Sequence, residues 1–358
     1  MMTHPLDGNR WLTLGIVYGV SSTFAWPLLL LLLLWHPTNL KLSLVLVYCL
    51  YTYGVFRGGR PERRKGRVWW SLNRFWPVCH GYFPVSLRVW DGSSFSAAPN
   101  KRHLRVLPRR AIFAMHPHGP FPLSASLLMP QLARFGSGLL EDIFANLRFA
   151  AASAVFWLWL VRDMYLWLGC IEASRSVLTR ALTSGLSVAI LPGGEHEQLL
   201  VCPDDSPFED VVAPRDGLFH LAITTGTPVV PVFSFGERRS YTSSSFLLDS
   251  RLRWVRRHRV GIPWAWGAHW WFPFVPRPGV PITIVVGPAI PVRPVTPDAA
   301  GRTILDDSEL DARVEDLRRT YMQRVEALFE SQKGVDEVAA RKKLRWVPRP
   351  QPTAKKAR

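Results

Sequence analysis

Cysteine is scarce in this chain. Its 358 residues include four, Cys49, Cys79, Cys170 and Cys202, and no two form a CxxC pair. That argues against a disulfide framework and against a zinc site built on paired thiols. Acidic residues are also few: 27 Asp and Glu stand against 44 Lys and Arg, a formal net charge of +17. No internal repeat recurs, which removes solenoids and propellers from consideration. The basic charge comes without a nucleic-acid motif. It gathers in one cluster near residue 60 and in the C-terminal tail, so nucleic acid is not the expected partner.

What the chain has instead is apolar mass. Hydrophobic residues make up 48% of it, and the mean hydropathy is slightly positive at +0.05. A chain both apolar and basic suits an anionic membrane surface, an anionic substrate, or both. Residues 11–35 carry no charge. As a helix they are long enough to cross a hydrocarbon core of about 30 Å, with Pro27 kinking or breaking the run. A polar turn over residues 36–41 follows, then a shorter apolar stretch over 42–56 that fits a tilted or re-entrant segment. A signal peptide fits poorly, because Arg10 is the one base before the run and a second apolar stretch follows at once. Arg57, Arg60, Arg63, Arg64, Lys65 and Arg67 then place this end in the cytosol by the positive-inside bias. The expectation is a membrane-embedded helical hairpin with both ends cytosolic, occupying residues 1–68 with its basic flank.

Residues 69–340 read as one α/β domain: a largely parallel sheet flanked by helices. Residues 111–115, 188–191, 229–235 and 282–286 are apolar runs of strand length. The stretches between the first three have room for helices, which favours parallel pairing. Residues 149–161 suggest a buried or half-immersed helix. Trp264, Trp266, Trp270, Trp271, Phe272 and Phe274 suggest a buried loop or an interfacial anchor. Leu310, Val314, Leu317, Tyr321, Val325 and Leu328 recur at three- and four-residue spacing, the mark of an amphipathic helix packed on the domain. Residues 341–358 read as a basic, disordered tail. Its Lys355 and Lys356 resemble a dilysine retrieval signal.

Three candidate strands end in polar segments: His116-Pro117-His118-Gly119, Pro192-Gly193-Gly194-Glu195-His196-Glu197, and Gly236-Glu237. Ligands of open α/β sheets sit beyond the carboxyl ends of strands, so these segments should meet. Acyl transfer to an alcohol needs a base, a group that orients it and donors for an oxyanion. His116 and His118 supply the first and Glu195 or Glu197 the second; backbone amides near Gly119 or Gly193-Gly194 supply the third. A metal reading of the two histidines lacks a third ligand at a recognisable spacing.

The order and spacing of these motifs resemble the type-2 diacylglycerol acyltransferase family, which includes monoacylglycerol and wax-alcohol acyltransferases. The likeness rests on His116 to Gly119, Pro192 to Glu197, Ser174-Arg175 and Arg215-Asp216-Gly217-Leu218. It continues through Val230-Pro231-Val232, Ser234-Phe235-Gly236-Glu237 and Val286-Gly287-Pro288. It implies an acyltransferase-like fold and acyl-CoA-dependent esterification of a membrane-dissolved lipid alcohol. Diacylglycerol is the first expectation, with monoacylglycerol or a long-chain alcohol as alternatives. It implies acyl-CoA as co-substrate, no metal or organic cofactor, and a cytosolic catalytic domain at the endoplasmic reticulum membrane or a lipid droplet; a homo-oligomer is compatible with it. His118, or else His116, would be the base and Glu197 its partner. Pro117, Gly119, Pro192, Gly193 and Gly194 would support them, while Arg175, Arg215 and Gly217 would contact CoA. Glu195 and His196 depart from the family's small residues, and Leu218 from its Phe. Phe121 and Leu123 stand where a His-x-x-x-x-Asp dyad would need its Asp. From a different class, a catalytically silent lipid-binding scaffold would keep the fold and lose turnover.

Overall fold

The computed structural model describes residues 46–50, 84–90, 94–96, 107–125, 146–157, 161–167, 169–258, 260–270, 275–293 and 306–349. The hairpin expected over residues 1–68 lies outside them, apart from a helical stretch at 46–50. Among the described residues, no helix is long and apolar enough to cross a membrane.

An eight-stranded sheet organises the domain. Its spatial order is β2 (Phe95–Ser96), β1 (Val85–Trp90), β11 (Ile282–Val286), β8 (Val229–Phe235), β3 (Ile112–His116), β6 (Ser187–Ile190), β4 (Leu147–Ala151) and β5 (Ile171–Glu172). β3 pairs in parallel with both β6 and β8, and β4 pairs in parallel with β6 and β5. β11 joins β8 antiparallel and β1 parallel. β3, β8 and β11 are buried along their whole length, which is why each reads as an unbroken apolar run instead of an alternation.

Alternate side chains of these strands feed two cores. Phe113, Met115, Val230, Val232 and Ile284 lie on one face. Ile112, Ala114, Val188, Phe233 and Phe235 lie on the other, under helices α2 (Arg175–Thr183), α4 (Asp216–Thr225) and α6 (Asp307–Gln332). Gly226 closes α4 in the left-handed region at φ 56°, where a side chain is disfavoured. The apolar stripe expected near the C-terminus is the buried face of α6. Val314, Leu317, Tyr321, Val325, Leu328 and Phe329 are all inward, and Phe329 meets the rings of Phe233 and Phe235.

Two expectations are corrected. Residues 149–161 are not one helix: strand β4 runs to Ala151 and a 3₁₀ turn covers Ser153–Trp157. Pairing with β5 outweighs the helical preference of Ala150 and Ala151, as pairing with β6 fixes Leu147 to Phe149 before them. The tail is also ordered past Arg341. Lys343–Val347 forms β12, which pairs in parallel with β7 (Phe208–Val212) in a separate two-stranded sheet.

Candidate active site

Parallel pairing puts the carboxyl ends of β8, β3 and β6 side by side, so all three polar segments lie along one sheet edge. β3 ends on His116, which is completely buried. The His116–Pro117 peptide bond is cis. The chain then turns through half-buried His118 and Gly119, the latter at φ +61°. After β6, the segment from Pro192 leads into the short helix α3 (Gly194–Glu197) and delivers Glu197 beneath the histidines.

Glu197 is the hub. Its Oε1 and Oε2 each lie 3.2 Å from Nδ1 of His116. Oε2 also accepts the backbone N–H of His118 at 3.1 Å, and Oε1 accepts that of Val212 at 3.2 Å. Burial by itself would raise this carboxyl, but His116 and then Arg238 prevail and hold it below the ordinary carboxylate range. The expectation that Glu197 orients the ring of His118 is therefore corrected. It orients the ring of His116 and grips only the main chain of His118.

The imidazole of His118 is fixed otherwise. Its Nδ1 lies 3.0 Å from the Gly119 carbonyl oxygen. A carbonyl only accepts, so Nδ1 carries the proton and Nε2 of the neutral ring keeps its lone pair. Burial pushes the His118 pKa below 6.5, against the pull of the Gly119 carbonyl and the fields of Glu197 and Glu195.

The Pro-Gly-Gly turn is shaped by contact. A Cβ on Gly193 would come within 2.0 Å of Glu197 Oε2, so the carboxylate reaches its place only because residue 193 has no side chain. The Gly194 amide donates to the Leu191 carbonyl at 3.0 Å, which commits it to the turn instead of to an oxyanion. Gln198 Nε2 donates to the Pro120 carbonyl at 2.9 Å and ties α3 to the histidine loop.

Other expected residues sit further out. Glu195 pairs with Arg215 at 2.5 Å. Burial would raise Glu195, yet its bond to His196 and the charges of Arg215 and Arg349 bring it down to about 2. Arg215 thus meets a carboxylate first, and Gly217 is exposed in the first turn of α4. Arg175 is exposed at the start of α2, after β5; that strand is three positions from β3, about 14 Å away at usual strand spacing. A small recess opens beside Pro117, with Ser234, Gly236, Arg238 and Lys342 in its lining. Glu209 lies 3.3 Å from Arg238 and 3.5 Å from Lys342, so these two bases share one carboxylate.

Two contributors, Trp346 and Arg349, escaped the sequence reading, while Glu237 and Tyr321 were read only as a polar strand end and a packed helix face. Glu237, on the third strand end, is buried under the histidine loop; its Oε1 accepts the Ser124 N–H at 3.1 Å and lies beside Gly119. Burial lifts it to about 7 despite the hydrogen bond from Ser124. Its position after Gly236 was the available signal. Trp346 makes a T-shaped contact with His116 at 5.7 Å between centroids, and Tyr321 lies 6.2 Å from the same ring. Arg349 reaches the Pro-Gly-Gly turn. Neither Trp346 nor Arg349 stands in a motif.

The family model described as diacylglycerol acyltransferase matches residues 32–346. Among curated relatives, diacylglycerol O-acyltransferase 2-like protein 6 of Mus musculus is 29% identical over 88% of this chain and 90% of its own length. Diacylglycerol O-acyltransferase 2A of Umbelopsis ramanniana is 28% identical over 88% and 82%. 2-Acylglycerol O-acyltransferase 1 of Bos taurus is 28% identical over 81% and 82%.

Proposed function

Because the chain belongs to the diacylglycerol acyltransferase family, we propose that it transfers a fatty acyl group from acyl-CoA to a lipid alcohol, diacylglycerol first. The observation that carries this reading is the carboxylate of Glu197 at the meeting of two strand ends, bound to the ring of His116 and the main chain of His118.

In this reading His118 is the base. Its neutral ring is part-buried and keeps a lone pair on Nε2, whereas the ring of His116 is enclosed. His118 takes the proton of the acceptor hydroxyl as the alcohol oxygen attacks the thioester carbonyl. The tetrahedral oxyanion collapses, the C–S bond breaks and the ester forms. The departing CoA thiolate leaves with the proton from the imidazolium. While charged, that imidazolium is stabilised by Glu197 and Glu195, whose fields favour protonation of His118. His116 and Glu197 brace the loop from below. Arg175 and Arg215 are our choice for the CoA phosphates, Arg215 at the expense of its bond to Glu195. The chain's own residues do the chemistry, with no metal or organic cofactor.

A specific observation favours a second assignment. His116 has the carboxylate partner that a base commonly uses, so it becomes the base if Trp346 moves off its ring.

The site works at a membrane, in our reading that of the endoplasmic reticulum or a lipid droplet, with the catalytic domain cytosolic. Phe246, Leu247, Trp254, Trp264 and Trp270 are exposed large apolar side chains, and Arg253, Arg256 and Arg257 of α5 (Leu248–His258) are exposed among them. Aromatic and arginine side chains of this kind suit a headgroup layer. The deciding experiment supplies microsomes containing this chain with labelled acyl-CoA and diacylglycerol, monoacylglycerol or a long-chain alcohol, then identifies the ester. Triacylglycerol should dominate and vanish in His116→Ala/His118→Ala. Full activity in that double variant would sink the assignment, and no ester from any acceptor would favour the silent scaffold.

A further inference from the structure

The chain beyond α6 returns to the site. β12 lies in register with β7 from Lys343 opposite Phe208 to Val347 opposite Val212, and the Ala213 amide donates to the Val347 carbonyl at 3.0 Å. β7 in turn carries the Val212 N–H that Glu197 accepts. Trp346 is held by its Nε1–H, which donates to Glu326 at 2.7 Å.

Two residues past the strand, the guanidinium of Arg349 lies on the Pro-Gly-Gly turn. Its Nη2 donates to the carbonyls of Pro192 at 2.7 Å and Gly193 at 2.9 Å. Nη1 lies 3.3 Å from His196 Nδ1 and 3.8 Å from Glu195 Oε1. The side chain is only 16% exposed. The turn needs such support for a physical reason. α3 is four residues long, too short to hold its own shape. The two glycines of the turn, Gly193 and Gly194, have no side chains with which to pack. Nη2 carries two N–H groups in the plane of the guanidinium, one for each of the two neighbouring carbonyls.

We propose that Arg349 is a positioning residue of this site. It clamps the Pro192 and Gly193 carbonyls and so holds Glu197 against His116 and the main chain of His118. The proposal rests on the acyl-transfer reading above. Arg349 lies past residues 32–346, the span that the family model matches.

The test uses the full chain in membranes, as Arg349→Ala, Arg349→Gln and Arg349→Lys. With labelled acyl-CoA and diacylglycerol, the Ala and Gln variants should lose about tenfold or more in kcat, with KM for acyl-CoA within about twofold. Lys keeps the charge and should restore part of kcat. Hydrogen exchange without substrate gives a second readout. In the Ala variant the amides of Gly194, Glu197 and Gln198 should exchange faster, while those of β3 and β8 stay at the wild-type rate. A raised KM with kcat unchanged would overturn the clamp, because Arg349 would then be binding CoA. Wild-type kcat and exchange would overturn it as well. Faster exchange in a chain that acylates no acceptor would leave the clamp standing and refute the acyl-transfer reading instead. If the Ala variant fails to accumulate, the Lys variant carries both measurements.

Discussion

Glu197 faces His116 with both carboxylate oxygens 3.2 Å from Nδ1, while His118, two residues on, offers it only a backbone N–H at 3.1 Å. One acidic group thus fixes one imidazole directly and places the other through the main chain. The histidines are unequal as a result. His116 is an enclosed brace, and His118 is a half-buried ring with a free lone pair on Nε2.

Replacing Glu197 by Gln should cost more than a charge. The carboxylate accepts from three donors: the His116 ring, the His118 amide and the Val212 amide. A carboxamide must point its NH₂ at one of them. The expected result is a fall in kcat of about 100-fold or more and a stability loss of about 1–3 kcal/mol. Turnover in membranes and a melt in detergent measure the two. A Gln variant with the parental rate would remove Glu197 from the site.

The pH dependence separates the histidines. Burial depresses the His118 pKa below 6.5, so its neutral, proton-accepting form persists to more acid pH. The acid limb of kcat/KM should lie below pH 6.5 and persist in His116→Ala. His118→Ala should lose about 100-fold or more of the rate. A limb that disappears with His116 instead would make that residue the base.

Gly193 is expected to tolerate nothing larger. Gly193→Ala puts a methyl 2.0 Å from Glu197 Oε2 and must displace the carboxylate or the turn. Activity should collapse. Gly334→Ala, with nothing within 4 Å of the new atom, should behave as wild type. Assays of both variants at matched protein levels check the contrast, and an active Gly193→Ala enzyme would contradict the packing described.

Glu237 makes a prediction about stability. Burial raises its pKa from 4.5 to about 7. A raised carboxyl pKa means that the folded state holds the proton more tightly than the unfolded state. Between those pH values the folded chain carries the extra proton, so its stability falls as pH rises, and above about 7 the penalty is complete. Glu237→Gln should therefore gain little at acid pH and on the order of 3 kcal/mol at pH 8. Melts at both pH values test this, and an equal shift at both would show that Glu237 is not the titrating group.

The central strands were legible because burial on both faces leaves an unmixed apolar run, and β8 and β11 fall on the residues that the pattern marks. The α6 stripe was legible for a similar reason: one face is packed and the other wet. The polar segments after β3, β6 and β8 could be picked out because polar residues at buried strand ends break those patterns. Their convergence needed only parallel pairing.

Partnership within the site was not legible. Sequence spacing says nothing of the depth to which a turn carries a side chain, so it left the imidazole that Glu197 orients open between His118, the first choice, and His116, which the contact favours. Nor could composition foresee β12, since a strand rich in Lys and Arg resembles a solvated tail until β7 offers it an edge. What the sequence alone determined was the local grammar: which residues form strands, where those strands end in polar groups, and which family the ends resemble. The tertiary structure decided the contacts, because hydrogen bonds between His116 and Glu197, or between Arg349 and Pro192, join residues 81 and 157 positions apart. Such distances close only when the sheet has formed.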